Sequence, residues 1–252
     1  MIDTHCHLND AEHFPDPSAA IREAKAAGVD KLIIIGVDLE AGRRAIEIAE
    51  ANEGVYAAVG FHPNYTADYK PQDLEELRRL LAHSKVVGFG EIGLDFYRDT
   101  APREQQYRAL NDQLELALEM DLPVVFHCRQ AYEELLALLE ARPKHSRYLF
   151  HCFAGTERDA ARAQALGSYF GVDGPVTYKT AGELRDALRT IPLNRLVLET
   201  DSPYLPPVPY RGKQNCPAYL RFINDALAST MGVLPDECEK VTTATAERLF
   251  GI

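Results

Sequence analysis

Eight short apolar runs alternate with stretches of helical periodicity along this chain, and few architectures can accommodate that rhythm. The runs lie near residues 2–7, 31–36, 55–60, 86–91, 123–127, 147–151, 168–172 and 195–199. Helical periodicity falls near 17–27, 40–52, 72–82, 103–120, 130–141, 157–166, 180–190 and 216–230, with a last segment near 235–250. Such alternation predicts parallel strands joined by crossover helices. Lys31-Leu32-Ile33-Ile34-Ile35 is apolar without a break after its first residue, as expected of a parallel strand covered on both faces. Eight strands, each followed by a helix, favour a (β/α)8 TIM barrel over a doubly wound sheet. The 252 residues are about the length that a barrel needs. With no fixed-period repeat, low-complexity tract or linker in view, residues 1–252 are expected to form one domain.

Charge and composition narrow the function classes. A formal net charge of −11 opposes a broad basic nucleic-acid face and opposes attraction to an anionic membrane. A nucleic acid would have to be gripped locally. No run approaches the roughly 20 apolar residues of a membrane span, and the first strand is preceded by no basic-then-apolar leader, so a cytoplasmic protein is expected. Five cysteines without a disulfide-framework spacing fit a reducing compartment.

A barrel places its working side chains at the C-terminal ends of strands, where the βα loops form one mouth. His5 and His7 end the first run with one residue between them, an arrangement that alternation puts on one face. His62 follows the third run in Gly60-Phe61-His62-Pro63. Glu91 ends the fourth, His127 the fifth and His151 the sixth, and Asp201 follows the eighth. A lone histidine at a strand end is more often structural than catalytic. Four histidines and two carboxylates converging from separate strands instead predict a metal centre. Six ligands exceed the needs of one tetrahedral ion and suit two ions about 3.5–4 Å apart bridged by a carboxylate. Glu91, from the middle of the set, is the natural bridge, with His5, His7 and Asp201 on one ion and His127 and His151 on the other. His13, His83 and His145 read as solvated. Cys6, Cys128 and Cys152, each next to a candidate ligand, are expected to face outward and pack.

Taken in order, these residues fall into motifs that resemble the TatD family of metal-dependent hydrolases. The motifs are Asp3-Thr4-His5-Cys6-His7-Leu8, Gly60-Phe61-His62-Pro63, Gly90-Glu91-Ile92-Gly93-Leu94-Asp95, Pro123 through Arg129, His151-Cys152-Phe153-Ala154-Gly155, Glu199 through Tyr204 and Arg211-Gly212-Lys213-Gln214-Asn215. The resemblance implies a TIM barrel, a divalent-metal centre on His5, His7, Glu91, His127, His151 and Asp201, and hydrolysis of DNA phosphodiester bonds as a deoxyribonuclease of 3'-5' exonuclease type. It also implies that Asp201 takes the proton from the attacking water. Imidazoles and carboxylates accept Zn, Mn, Co or Ni, and Mg more weakly.

His62, Arg211 and Lys213 lie on loops at the same mouth and are candidates for binding phosphate oxygens. So small a cationic patch suits one or two phosphates, and a recessed mouth suits a single-stranded DNA end; no obligate protein partner is implied. The competing enzyme readings on such a barrel are a small-molecule amidohydrolase or esterase and an aminoacyl-tRNA ester hydrolase. The first commonly bridges its ions with a carboxylated lysine where this chain has Glu91. A non-catalytic metal-binding protein is the reading of another class.

Overall fold

The structure, a computed structural model, describes residues 1–143, 145 and 147–252. Eight parallel strands form one sheet in sequence order: β1 Ile2–Cys6, β2 Lys31–Gly36, β3 Val55–Val59, β4 Val86–Asp95, β5 Val124–Arg129, β6 Tyr148–Phe150, β7 Tyr169–Val172 and β8 Leu196–Leu198. The Cys6–Ser202 bridge, with hydrogen bonds from the Asp201 N–H to the His5 carbonyl and from the His7 N–H to the Ser202 carbonyl, joins the end of β8 to β1. This is the expected (β/α)8 TIM barrel. The helices are α1 Pro17–Ala26, α2 Leu39–Ala51, α3 Asp73–Leu81, α4 Arg103–Met120, α5 Tyr132–Glu140, α6 Glu157–Ala165, α7 Gly182–Arg189, α8 Leu220–Met231 and α9 Pro235–Phe250. No helix among the described residues is long and apolar enough to cross a membrane.

Two apolar clusters account for the unbroken hydrophobicity of the strands. Leu32, Ile34, Val55, Ala57 and Val59 belong to the layer between barrel and helices, whereas Ile33, Ile35, Ala58, Val125, Leu149 and Val197 fill the interior. Ala246, Leu249 and Phe250 of α9 join that interior cluster, so the last helix closes the N-terminal end of the barrel. The opposite end is left to the polar site. Helix starts are set locally: the Asp38 carboxylate accepts from the Ala41 N–H at 2.8 Å, and Thr156 with Asp159 forms a capping box at α6.

Three sequence expectations change. Strand β4 does not stop at residue 91 but runs on to Asp95, and Glu91 is its extra residue: Gly90 pairs with Val125 and Ile92 with Phe126. A bulge of this kind re-aims a side chain. Gly90 has φ +156°, and a Cβ there would stand 2.4 Å from the Val125 carbonyl oxygen, so this approach requires glycine. His145, read as solvated, is buried and stacks on Tyr148 at 5.2 Å, although His13 and His83 remain partly exposed. Cys6 and Cys128 pack in the outer layer as expected. Cys152 does not: at φ +43° its Sγ lies 3.1 Å from Asp173 Oδ2.

Candidate metal centre

Glu91 stands at the centre of the mouth, almost wholly buried, with imidazoles from four other elements around its carboxylate. His127 Nδ1 is 2.7 Å, His151 Nε2 2.8 Å and His62 Nε2 3.5 Å from its Oε1, while His5 Nε2 is 3.3 Å from its Oε2. The Asp201 Oδ1 lies 3.3 Å from His7 Nε2 and 3.7 Å from His5 Nε2. All six residues expected as ligands therefore meet at one mouth, and His62 joins them. Among the described residues, three groups present ligand atoms close enough together to hold a metal ion: His5, His7 and Asp201; His62, Glu91 and His127; and His5, His151 and Glu199.

Two carboxylates that the sequence reading left unassigned stand behind the histidines. Asp95 Oδ2 is 3.0 Å from His127 Nε2, and Glu199 Oε1 is 3.3 Å from His151 Nδ1. Glu199 is fully buried and also accepts from the Cys152 N–H. Its place beside β7 exists because residue 171 is glycine: a Cβ there would stand 2.3 Å from Glu199 Oε2. A usable signal was present, since Glu199 precedes Asp201 by two residues and Asp95 follows Glu91 by four within one strand.

The electrostatics follow from this crowding. Burial penalises the Glu91 carboxylate, but the imidazoles of His151, His62, His5 and His127 outweigh it and hold its pKa well below the usual range. Asp201, also disfavoured by burial, is held low by its hydrogen bond with His7 and by the His151, His7 and His5 charges. Burial and the neighbouring His127 push His62 down to about 3. His62 Nδ1 accepts the Asn64 N–H at 3.0 Å, so in the neutral ring Nε2 carries the proton and faces Glu91 as a donor.

Imidazole and carboxylate are the ligands of borderline divalent cations. His5 stacks on His151 at 3.9 Å, and its buried Nε2 stands 3.3 Å from Glu91 and 3.7 Å from Asp201 without a formed hydrogen bond to either. A neutral imidazole has one ring nitrogen with a lone pair to give, and one buried against two carboxylates is placed to give it to a cation. The residues present thus fit a divalent-metal group. Arg211 and Lys213 sit in the loop that follows β8, the guanidinium 4.0 Å over the Tyr178 ring and the ammonium 5.7 Å from the Tyr210 ring. Among the described residues, neither side chain is hydrogen-bonded to the histidine cluster.

The family model for TatD related DNase matches residues 2–251. The uncharacterized metal-dependent hydrolase YabD of Bacillus subtilis is 36% identical over 253 residues, covering 100% of this chain and 99% of its own. The 3'-5' ssDNA/RNA exonuclease TatD of Cronobacter sakazakii is 37% identical over 256 residues, covering 99% and 97%. The crystal structure of the TatD homologue YjjV from Escherichia coli superposes with a TM-score of 0.93 at 33% identity, covering 100% and 98%. With its barrel and its histidine–carboxylate mouth, the chain belongs to the TatD family of metal-dependent hydrolases.

Proposed function

We propose that residues 1–252 act as one catalytic domain that hydrolyses phosphodiester bonds of DNA, removing nucleotides from the 3' end of single strands. The observation that carries this reading is Glu91, flanked on both carboxylate oxygens by imidazoles of separate strands. One relative matched over nearly the whole chain bears the name of a 3'-5' ssDNA/RNA exonuclease, which supports the substrate class and extends it to RNA. His5, His7 and Asp201 would hold one divalent ion and His127 with His151 the other, with Glu91 shared; Zn, Mn, Mg, Co and Ni are the candidates. Bound there, such ions supply Lewis acidity toward a phosphoryl oxygen and lower the pKa of water.

The chain's own groups do the rest. Asp201, kept ionised by His7 and its neighbours, is a carboxylate able to accept a proton at the mouth. His62 keeps a neutral ring whose Nε2–H lies 3.5 Å from Glu91, long enough for a phosphate oxygen entering the mouth to take that hydrogen bond without protonating the ring. Asp95 and Glu199 fix the orientation of His127 and His151. Arg211 and Lys213 are exposed cations for the outer phosphates.

The test is a 5'-labelled linear strand compared with a circular strand of equal length, each with and without chelator. Stepwise shortening of the linear strand, abolished by chelator, is expected. Equal cutting of the circle would remove the end-trimming reading, and undiminished cutting after chelation would remove the metal-dependent one.

A further inference from the structure

Large apolar side chains exposed to solvent are few, and the three aromatic ones among the described residues, Tyr65, Tyr97 and Tyr204, all follow strand ends at the mouth. Tyr65 and Tyr204 stand at the site itself. The Tyr65 ring is 5.9 Å from the His62 ring and the Tyr204 ring 5.9 Å from the His7 ring. They are held by the same device. The Tyr65 N–H donates to the His62 carbonyl at 2.8 Å, and the Tyr204 N–H donates to the Asp201 carbonyl at 2.9 Å. The backbone of each tyrosine is thus tied three residues beyond a side chain of the centre. Asn215, fully buried, further fixes the Tyr204 carbonyl at 2.7 Å. Both rings nevertheless remain more than half exposed, at 55% and 51%.

Aromatic faces left more than half exposed, on backbone pinned beside the centre, add little to the packing of the barrel. The charge around them says what they are suited to hold. Asp10 lies close enough to bear on both hydroxyls, and Asp38 bears on Tyr65, with Arg98 as the cation reaching each. A rim so supplied with carboxylates grips a polyanion poorly through its phosphates. Stacking needs no cation, because every base has a π-face, and it accepts any sequence.

We propose that Tyr65 and Tyr204 are stacking platforms for the unpaired bases of a single-stranded nucleic-acid end on either side of the bond to be cut. This rests on the phosphodiester reading above and names how that site selects its substrate. A paired base is already stacked within its duplex and is not free to lie on either ring, so the platforms favour single strands without reading sequence.

The experiment compares kcat/KM of the metal-loaded protein for two short strands that share a backbone, one carrying bases and one with tetrahydrofuran abasic units at the last two positions. The wild type is expected to prefer the base-bearing strand. In Tyr65→Leu and Tyr204→Leu that preference falls by about 5- to 100-fold each, the range of a lost base–aromatic stack. Tyr65→Phe and Tyr204→Phe restore it, and Leu234→Ala, at an exposed side chain between α8 and α9, leaves it in place. A preference unchanged in both leucine variants overturns the platforms while leaving the phosphodiesterase reading intact. Wild type that cuts neither strand but hydrolyses another ester overturns both.

Discussion

His127 Nε2 lies 3.0 Å from Asp95 Oδ2 while the other nitrogen of the same ring lies 2.7 Å from Glu91 Oε1, so the imidazole is held from behind and presented forward. Asp95 is itself fixed, accepting the Tyr97 and Arg98 N–H groups at 2.9 Å each and the Asn64 amide at 3.1 Å. Burial disfavours its charge, but the hydrogen bond from His127 and those from the backbone hold its pKa low. Asp95 therefore stays an anion that orients the His127 ring.

Asp95→Asn is expected to fold and to lose about 10- to 100-fold in metal affinity or in activity, the usual cost of removing such an orienting partner. A titration of the apo variant with Zn or Mn, followed by turnover at saturating metal, checks this. Affinity and turnover both equal to wild type would show that the His127 ring needs no support.

Asp201→Asn keeps the shape of the side chain and removes its basic oxygen. It should retain at least one bound ion and lose roughly 10²–10⁴-fold in rate, as for a lost proton acceptor. Loss of all metal would make Asp201 first a ligand, and near-normal turnover would end its role as base.

The barrel was legible because its signal is repeated: each strand carries apolar residues for both faces, as Ile33 and Ile34 do on opposite sides of β2. The meeting of His5, His7, Glu91, His127, His151 and Asp201 at one mouth was legible because strand ends are where the fold spends its polar residues. Glu199 and Asp95 carried a signal in their spacing from Asp201 and Glu91 but not a role, since a carboxylate that orients a histidine has the same local pattern as one that coordinates. Cys152 was misjudged because strand alternation does not survive a positive φ, which turns its thiol toward Asp173. The Asn64 N–H that sets the His62 tautomer is a local cap of the turn that Pro63 starts, whereas the approach of that ring to Glu91 is a tertiary fact with no trace in the local sequence.

Burial, then the Glu199 charge, raise the Asp173 carboxyl from 3.8 to about 8. Folded chains thus hold a proton that unfolded chains release, and stability contributed by the neutral acid is full below about pH 4 and lost as pH rises through about 8. Asp173→Asn should match the wild-type melting temperature near pH 4 and exceed it by several degrees at pH 8.5. Melting curves that stay parallel across this range would contradict the assignment.

Gly171→Ala brings a Cβ to 2.3 Å from Glu199 Oε2, which must displace the carboxylate from His151. The expected cost is about 1–3 kcal/mol of stability, from overpacking, together with reduced turnover. Chemical denaturation and activity on one preparation check both, and full activity would show that the Glu199 position is immaterial.

Glu91 shared between two divalent ions is the heart of the proposed site, and the most direct measurement is the number of ions per chain by native mass spectrometry, in wild type and in Glu91→Gln reconstituted alike. Two ions in the wild type, with Glu91→Gln failing to keep the pair and losing turnover, is the predicted result. A wild type that holds a single ion at full activity, or a Glu91→Gln variant that keeps two ions and normal turnover, would contradict it.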